Sequence, residues 1–388
     1  MRRIRHRLAL IVTWGLLLAC VVDWAPARAA QVNHPPPSTS TSPSVDMTVR
    51  GDSLMVAGDI TCTPTTPTSG LSEGQRITVA EAAACITNAR AVHNMAVALR
   101  PAAFLLAGDL IEPCGTLAEY QATFDPIWGD QWNRLAPAIG NHEYCGTPGK
   151  GPSRTNGWAS TGGGYFDYFG GNGGRARPNN ASYYSFNVIL PQGGHWHVVV
   201  LNSACGDYNN PPAWVTPSCT LTGAMLNWLR ADLDADRARC ELAIFHEPAF
   251  ATPAPWGGKK AMRTPWWTME LRGVDLVVTG HNHAYERFAQ QDHLGRRSTR
   301  GIRSVVAGTG GNRHIAFRGA VAPNSLVRDD GHHGMLWLKL RPDGWTQEFR
   351  GVTGASPGSA ATPSPPAADP RQLAAWASAR APAAATRG

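Results

Sequence analysis

Residues 274–287 read VDLVVTGHNHAYER. The mostly apolar run 274–278 predicts a buried strand, and Gly280 lets the chain turn directly after it. His281 and His283 follow two residues apart, so both imidazoles can reach one metal ion or two adjacent ones. An isolated His-x-His pair is more often a polar surface turn. The interpretation therefore depends on whether the rest of the chain supplies partners.

Other strand ends do supply them. Five more short apolar runs end in polar residues, namely 54–57, 104–107, 137–139, 197–201 and 242–245. The strand-end residues that suit metal chemistry are Asp59, Asp109, Asn141, His142, His246, His281 and His283. Each alone has an ordinary explanation as a turn or loop residue, but their occurrence in series is hard to obtain by chance.

Helical patterns lie between several of these strands. Thr78 and Glu81 form a capping box that opens an Ala-rich helix towards Leu99. Thr222 is predicted to open a second helix, whose apolar face carries Met225, Leu226, Leu229 and Leu233. Alternating strands and helices predict an α/β fold with its active residues at the carboxyl ends of strands. The Gly-rich stretch 150–180 is interpreted as a long loop over that site.

The strand-end residues form the ligand set of a two-metal site. Two carboxylates, one amide oxygen and three imidazoles can hold two ions about 3.5–4 Å apart, with one carboxylate bridging. Mixed nitrogen and oxygen ligands favour two divalent or mixed-valence transition metal ions, namely Fe, Zn or Mn. His142 is the additional member, and proton transfer is the expected role for it.

The motifs AGDI, AGDL, GNHEY, FHEP and GHNHAYER occur in this order. The series resembles the calcineurin-like metallophosphoesterases, in particular the purple acid phosphatase-like branch and its exported bacterial members. The resemblance covers residues 54 to about 350. It implies a four-layer α/β sandwich, in which two mixed β-sheets are flanked by helices and the metals lie at the sheet edge.

The resemblance also implies roles for the individual residues. The first metal would be held by Asp59 and His283, the second by Asn141, His246 and His281, and both by the bridging Asp109. His142 would lie beside the substrate and assist the leaving group.

One position departs from the family pattern. Purple enzymes carry a Tyr three residues after the bridging Asp, where this chain has Glu112. Other branches carry a His two residues after the first Asp, where this chain has Thr61. Either Glu112 supplies a carboxylate to the first metal, or water completes its coordination and Glu112 is a loop residue. In both cases no tyrosinate-to-iron colour is expected.

These residues predict a binuclear metal-dependent phosphoric ester hydrolase of the acid phosphatase type. A water activated by the two metals would attack a phosphomonoester. A phosphodiesterase with the same metal core is an alternative, since the loops that would select the substrate cannot be read from one sequence. A secreted binding protein that keeps the fold without strong catalysis is another. An amidohydrolase also uses a His-x-His pair, but after its first strand, so the order here argues against it.

Charge and targeting signals are concentrated at the N-terminus. Residues 1–30 carry five Arg against one Asp, which is +4 of the net +7, so no nucleic-acid-binding face is expected. This segment is interpreted as a signal peptide, which predicts secretion. A lipoprotein acylated at Cys20 is the alternative, and no membrane span is predicted.

Residues 31–47 are interpreted as a flexible leader, 48–352 as the catalytic domain and 353–388 as a flexible Ala/Pro-rich tail. The oligomeric state cannot be read from the sequence.

Export makes disulfides expected. The seven Cys after Cys20 are an odd number. The pairings expected are Cys205–Cys219 first, then Cys62–Cys85 and Cys114–Cys145, which would leave Cys240 free.

Three further polar residues receive structural interpretations. Glu143 is expected to orient His142. His195 and His197 form a second His-x-His pair without a partner motif, and they are interpreted as residues of an edge strand.

Overall fold

The fold is taken from a computed structural model. It describes residues 47–65, 76–144, 163–171, 173–178, 181–203, 219–236, 238–254 and 256–355. All of these lie in one compact unit of the chain, residues 33–388. The expected signal peptide and almost all of the expected leader and tail lie outside the described residues, as do most of 150–180 and 204–218.

One sheet has six strands within the described ranges, numbered in chain order. Their spatial order is β16 (Gly354–Ala355), β15 (Gly344–Gly351), β14 (Gly334–Arg341), β2 (Ser53–Ala57), β4 (Ala103–Ala107) and β6 (Leu135–Ala138). Strands β2, β4 and β6 are parallel, and β14 pairs antiparallel with β2. The carboxyl ends of the three parallel strands therefore meet at one edge.

The second sheet has eight strands in the described part of the chain. Their order is β1 (Val49–Arg50), β7 (Tyr184–Ile189), β8 (His195–Val200), β9 (Cys240–Ile244), β10 (Leu276–Thr279), β12 (Ile302–Ala307), β11 (Tyr285–Gln291) and β13 (Ser325–Asp329). Strands β8, β9, β10 and β12 are parallel. A short parallel pair, β3 (Thr61–Cys62) and β5 (Ile111–Glu112), extends beyond β2 and β4.

Helices cover the outer faces of the sheets. In the described ranges the α-helices are α1 (Val79–Ala98), α2 (Leu117–Glu119), α3 (Asp125–Trp128), α4 (Gly163–Tyr168), α5 (Ala224–Ala235) and α6 (Arg263–Glu270). A π-helical turn spans Tyr120–Phe124, and 3-10 segments span Gly129–Arg134, His142–Tyr144 and Lys260–Met262. Helix α4 lies within the stretch that the sequence analysis interpreted as a loop.

Three hydrophobic cores define four layers. Alternate residues of β2 point to opposite sides, so Leu54 and Val56 join the core between the two sheets, whereas Met55 packs under α1. In the same way, Leu242 of β9 faces the central core and Ala243 faces α5 and α6. The predicted four-layer α/β sandwich with two mixed sheets is confirmed.

Both predicted helices are present, and the start of one is shifted by one residue. The side chains of Thr78 and Glu81 form the expected capping box at the start of α1. Helix α5 begins after Gly223 and not after Thr222, which was wrong by one residue. Its predicted apolar face, Met225, Leu226, Leu229 and Leu233, is buried.

The edge-strand interpretation of His195 and His197 is wrong. Strand β8 lies inside the eight-stranded sheet, between β7 and β9. His197 is tolerated there because Nε2 lies 2.8 Å from Oδ2 of Asp232 and Nδ1 lies 2.8 Å from Oδ1 of Asn187. Helix α5 supplies the carboxylate, which a single-strand pattern cannot reveal.

The cysteine pairing is partly visible. Cys62 and Cys85 form a disulfide that ties β3 to α1, and Cys240 is buried and free. Cys114 and Cys219 are also disulfide-bonded, and their expected partners Cys145 and Cys205 lie outside the described residues. Within the described residues, no helix is long and apolar enough to cross a membrane.

Candidate metal centre

The carboxyl ends of strands from both sheets converge on one site. Asp59 follows β2 in the six-stranded sheet, and His281 follows β10 in the eight-stranded sheet. Oδ2 of Asp59 accepts a hydrogen bond from the backbone N of His281 at 2.9 Å. The backbone N of Asp59 donates to O of Gly108 at 3.0 Å. The site therefore lies at the junction of the two sheets.

One cluster of ligand atoms surrounds His246. Its Nε2 lies 2.9 Å from Oδ2 of Asp109, 3.0 Å from Oδ1 of Asn141 and 3.3 Å from Nδ1 of His281. Nδ1 of His281 in turn lies 2.9 Å from Oδ1 of Asn141. The structure thus brings together all four side chains predicted for the second metal.

A second cluster surrounds His283. Its Nε2 lies 3.3 Å from Oδ1 of Asp59 and 3.0 Å from Oε1 of Glu112. All three side chains are buried. Glu112 therefore accompanies the two residues predicted for the first metal, in the position that the sequence analysis left undecided.

The donor set fits metal ions. Nδ1 of His246 lies 2.8 Å from O of Ala107, and Nδ1 of His283 lies 2.9 Å from O of Arg313, so each ring donates its proton there. In the neutral rings the two Nε2 atoms carry lone pairs, and both face carboxylate oxygens. Oδ1 of Asp59 and Oε1 of Glu112 lie 3.3 and 3.0 Å from Nε2 of His283, but neither makes a well-directed hydrogen bond. Buried acceptors that face one another without donors are the arrangement expected around a cation.

The electrostatics of the site favour positive charge. Burial disfavours protonation of His283, but the carboxylates of Glu112 and Asp59 outweigh it and raise its pKa well above the usual value. Burial likewise opposes protonation of His246, whose pKa Asp109 nevertheless raises to about 10. The same carboxylates that raise these pKa values would attract divalent ions.

His142 lies beside both clusters on the open side of the site. Its backbone N donates to Oδ1 of Asp109 at 2.8 Å, and Nδ1 lies 2.8 Å from O of Pro113. Nε2 is 3.9 Å from carboxylate oxygens of both Asp109 and Glu112. Burial opposes protonation, yet Glu112 and Asp109 raise the pKa of this imidazole. A partly exposed ring with a raised pKa can donate a proton to a group in the opening.

The model of the calcineurin-like phosphoesterase family matches residues 53–285, which contain every candidate ligand described above. The chain belongs to the calcineurin-like phosphoesterase family. Purple acid phosphatase 21 of Arabidopsis thaliana is 28% identical over 258 residues, which cover 60% of this chain and 50% of that protein. Purple acid phosphatase 18 of the same plant is 30% identical over 140 residues, or 35% of this chain and 28% of that protein. The chain thus spans half or less of the curated relatives it matches.

Solved structures share the fold at low identity. Purple acid phosphatase PPD1 of yellow lupin (Lupinus luteus) superposes with a TM-score of 0.57 and 14% identity, over 87% of this chain and 57% of that one. GAP50 of Plasmodium, described as the anchor in the inner membrane complex, superposes with a TM-score of 0.55 and 12% identity, over 87% of this chain and 99% of that one. At these identities the likeness concerns the fold alone.

This phosphoesterase site is built on a constrained backbone. Asp59, Asp109 and His281 have φ values of 60°, 50° and 73°, in the left-handed region that non-glycine residues rarely adopt. A Cβ at Gly140 would lie 2.2 Å from Oδ1 of Asp109, and one at Gly280 would lie 2.7 Å from Oδ2 of Asp59. The two glycines therefore allow the strand ends to approach closely enough for the carboxylates to meet the imidazoles.

Glu143 has a different role from the one expected. Its carboxylate accepts hydrogen bonds from the backbone N atoms of Asp109, Leu110 and Gly140 at 2.7–3.0 Å, and from the hydroxyl of Tyr120. It thus holds the loop after β4 against the loop after β6. The expectation that it orients the ring of His142 is wrong, because both oxygens are used on these donors.

Two residues near the phosphoesterase site were not singled out from the sequence. Trp256 lies against His281, with ring centroids 5.0 Å apart. Asn282 is buried between the two histidines, and its Nδ2 donates to the backbone O atoms of Thr252 and Trp256. Trp256 belongs to no sequence motif, because it reaches the site only through the path of the loop that follows β9.

Proposed function

We propose that this protein is a binuclear metal-dependent phosphoester hydrolase that acts on phosphomonoesters. The observation that carries the proposal is that three groups of candidate ligands overlap, since Asp109 occurs in two of them and Glu112 links its group to that of Asp59 and His283. The carboxylate of Asp109 belongs to one group of candidate ligands with His246 and His281 and to another with Glu112 and His142. A shared carboxylate between two clusters is the arrangement that two-metal phosphatases use.

The residues present would hold two divalent transition metal ions, namely Fe, Zn or Mn. Asp59, Glu112 and His283 would hold the first, Asn141, His246 and His281 the second, and Asp109 both. When bound, such ions lower the pKa of water and neutralise charge on a phosphoryl group.

His142 would serve the leaving group. Its Nδ1 is held by O of Pro113, so the ring orientation is set, and Nε2 points to the region between Asp109 and Glu112. A protonated Nε2 can donate to the ester oxygen as the P–O bond breaks. Burial lowers the pKa of this imidazole, but the carboxylates of Glu112 and Asp109 outweigh burial and raise it, which favours the protonated ring.

The test is an assay of the full chain, expressed with metal supplementation, on aryl phosphate monoesters and diesters, together with metal analysis of the same sample. Monoester turnover at two metals per chain supports the proposal. Faster turnover of the diester would favour the phosphodiesterase alternative. Inactivity towards both substrates at full metal occupancy would contradict the proposal and favour a binding role on this fold.

Export is part of the proposed function. The basic, apolar and small-residue segments of residues 1–30 support a signal peptide. N-terminal sequencing of the mature protein from the culture medium would locate the cleavage site. An acylated Cys20 at the new N-terminus would instead identify a lipoprotein.

A further inference from the structure

The exposed members of the site mark the side from which a substrate approaches. Asn141, His142 and His281 are half-buried, whereas the carboxylates of Asp59 and Asp109 are buried. The open side therefore lies along the first three residues.

Trp256 adjoins this opening. Its ring centroid lies 5.0 Å from that of His281, with 32° between the planes. The ring of His246 meets His281 edge-on, with 84° between the planes. Trp256 is 50% exposed, and of the large apolar side chains more than a third exposed in the described residues it is the only aromatic one. An indole surface thus faces solvent beside the metal centre.

The loop that carries Trp256 is fastened on both sides of it. The backbone O of Trp256 accepts from Nδ2 of Asn282 at 3.1 Å. Upstream, Oγ1 of Thr252 donates to Glu286 at 2.6 Å, and downstream Nζ of Lys259 donates to Glu247 at 2.6 Å. A large apolar ring that is held in place but left exposed is more typical of a binding surface than of a core residue.

We propose that Trp256 is a stacking surface for the leaving group, so that the preferred substrates carry a planar aromatic ring next to the phosphoester. The inference rests on the proposed phosphoester hydrolase function and adds a substrate class to it. A phosphate held between Asp109 and His142 would direct the leaving group towards the exposed side of the site, where Trp256 lies against His281. A planar ring there would cover indole surface that solvent otherwise contacts.

A purely supporting role for Trp256 under His281 is the competing explanation. The chain contains a matched pair that separates the two roles. Trp267 of α6 packs against His293 with centroids 5.6 Å apart and 35° between the planes. His293 pairs with Glu270 at 2.8 Å and is not a candidate ligand. Trp267→Leu therefore removes a similar Trp–His contact away from the metal centre.

The experiment compares Trp256→Phe, Trp256→Leu and Trp267→Leu with the wild type, each loaded with metal. Phenyl phosphate and cyclohexyl phosphate differ in aromaticity and in leaving-group reactivity, so each variant is compared with the wild type on the same ester. We expect Trp256→Leu to lower kcat/KM for phenyl phosphate roughly 5- to 100-fold, mainly through KM, because stacking contributes to binding. In the same variant kcat/KM for cyclohexyl phosphate should change less than about threefold. Trp256→Phe should retain the preference for the aromatic ester.

A second substrate pair distinguishes a simple aryl ring from a nucleobase. Adenosine 5′-monophosphate carries a base at C1′, where ribose 5-phosphate carries a hydroxyl group. If Trp256→Leu lowers kcat/KM more for adenosine 5′-monophosphate than for ribose 5-phosphate, the stacking surface reaches a nucleobase. If kcat/KM falls selectively for phenyl phosphate alone, the ring must adjoin the ester oxygen.

Two results would overturn the inference. One is an equal loss for aromatic and non-aromatic esters in Trp256→Leu, and the other is loss of metal from that variant with unchanged selectivity. Either would show that Trp256 only supports His281. The Trp267→Leu variant should keep the wild-type selectivity in all cases.

Binding of non-hydrolysable phosphonates keeps this test separate from the proposed function. Calorimetry would compare phenylphosphonate with cyclohexylphosphonate on the same variants. If no ester is hydrolysed, the proposed function fails, but a wild-type preference for phenylphosphonate that is lost in Trp256→Leu would still support the stacking surface. Equal affinity for the two phosphonates in the wild type would contradict it.

Discussion

Oε1 of Glu112 lies 3.0 Å from Nε2 of His283, although Glu112 lies on β5 and His283 follows β10, far away in the sequence. Both side chains are buried. The carboxylates of Asp59 and Glu112 thus both face one imidazole, and buried carboxylates are costly unless positive charge balances them. The relationship is best explained if Glu112 is a ligand of the first metal, in the place where purple enzymes have a Tyr.

Glu112→Ala should therefore reduce the metal content from two ions per chain to one. The second cluster, around His246, does not include the Glu112 carboxylate and should keep its ion. Metal analysis after dialysis measures the change. Glu348→Gln is a control, since Glu348 pairs with Arg350 on β15. Two tightly held ions in Glu112→Ala would show that Glu112 is not a ligand, and a purple wild-type protein would contradict the expected absence of a tyrosinate ligand.

Asp109→Ala should lose both ions. Its carboxylate lies 2.9 Å from Nε2 of His246, and it also belongs to the group with Glu112 and His142. Removal of a bridging ligand weakens both positions, whereas removal of a terminal ligand weakens one. Stoichiometry measured alongside Glu112→Ala distinguishes the two cases. Retention of one ion in Asp109→Ala would mean that this carboxylate does not bridge.

His142→Ala should keep both ions but lose turnover by about 10²–10⁴-fold for an ester with a poor leaving group. An activated nitrophenyl ester should be less affected, because its leaving group needs no proton. The ratio of the two losses is the informative measurement. His93→Ala is the control, since His93 lies on α1 and pairs with Asp130. Wild-type rates with both esters in His142→Ala would exclude the proton-donor role.

Stability should fall as the pH rises from about 5 to about 8, because of a carboxyl pair at the opposite ends of β9 and β10 from the metal ligands. Burial, followed by the charge of Asp275, raises the pKa of Glu241 to about 8. Burial raises the pKa of Asp275 to about 7. A carboxyl group whose pKa is raised by folding stabilises the protein at pH values below its unfolded pKa of about 4.5. This contribution is lost as the pH rises towards the pKa of the group in the folded protein.

Glu241→Gln removes the part of this pH dependence that comes from Glu241 and leaves the part that comes from burial of Asp275. The amide stays neutral, so the variant should gain stability over the wild type as the pH rises, by at least about 1 kcal/mol at pH 8. Melting temperatures of both proteins at each pH, with the same metal loading, give the difference. Glu348→Gln, which replaces a partly exposed carboxylate, should follow the wild type. Parallel curves for the wild type and Glu241→Gln would contradict the buried-pair explanation.

Much of the fold could be predicted because its signals are local. The apolar run of β10 and the capping box of α1 depend on neighbours in sequence, and both occur where predicted. The role of His197 could not be predicted, because the carboxylate that allows it to be buried comes from α5. For the same reason, Glu143 was assigned to its sequence neighbour His142, whereas its donors come from the loop after β4 and from Tyr120.

The sequence by itself determined the series of candidate ligands at the strand ends, because a strand, a glycine turn and a polar residue follow one another within a few positions. The tertiary structure decided what those residues meet. Glu112 approaches His283, and Trp256 covers His281, only because the two sheets pack face to face and their loops return to one edge. Such contacts join residues far apart in the chain, so local periodicity and propensity carry no signal for them.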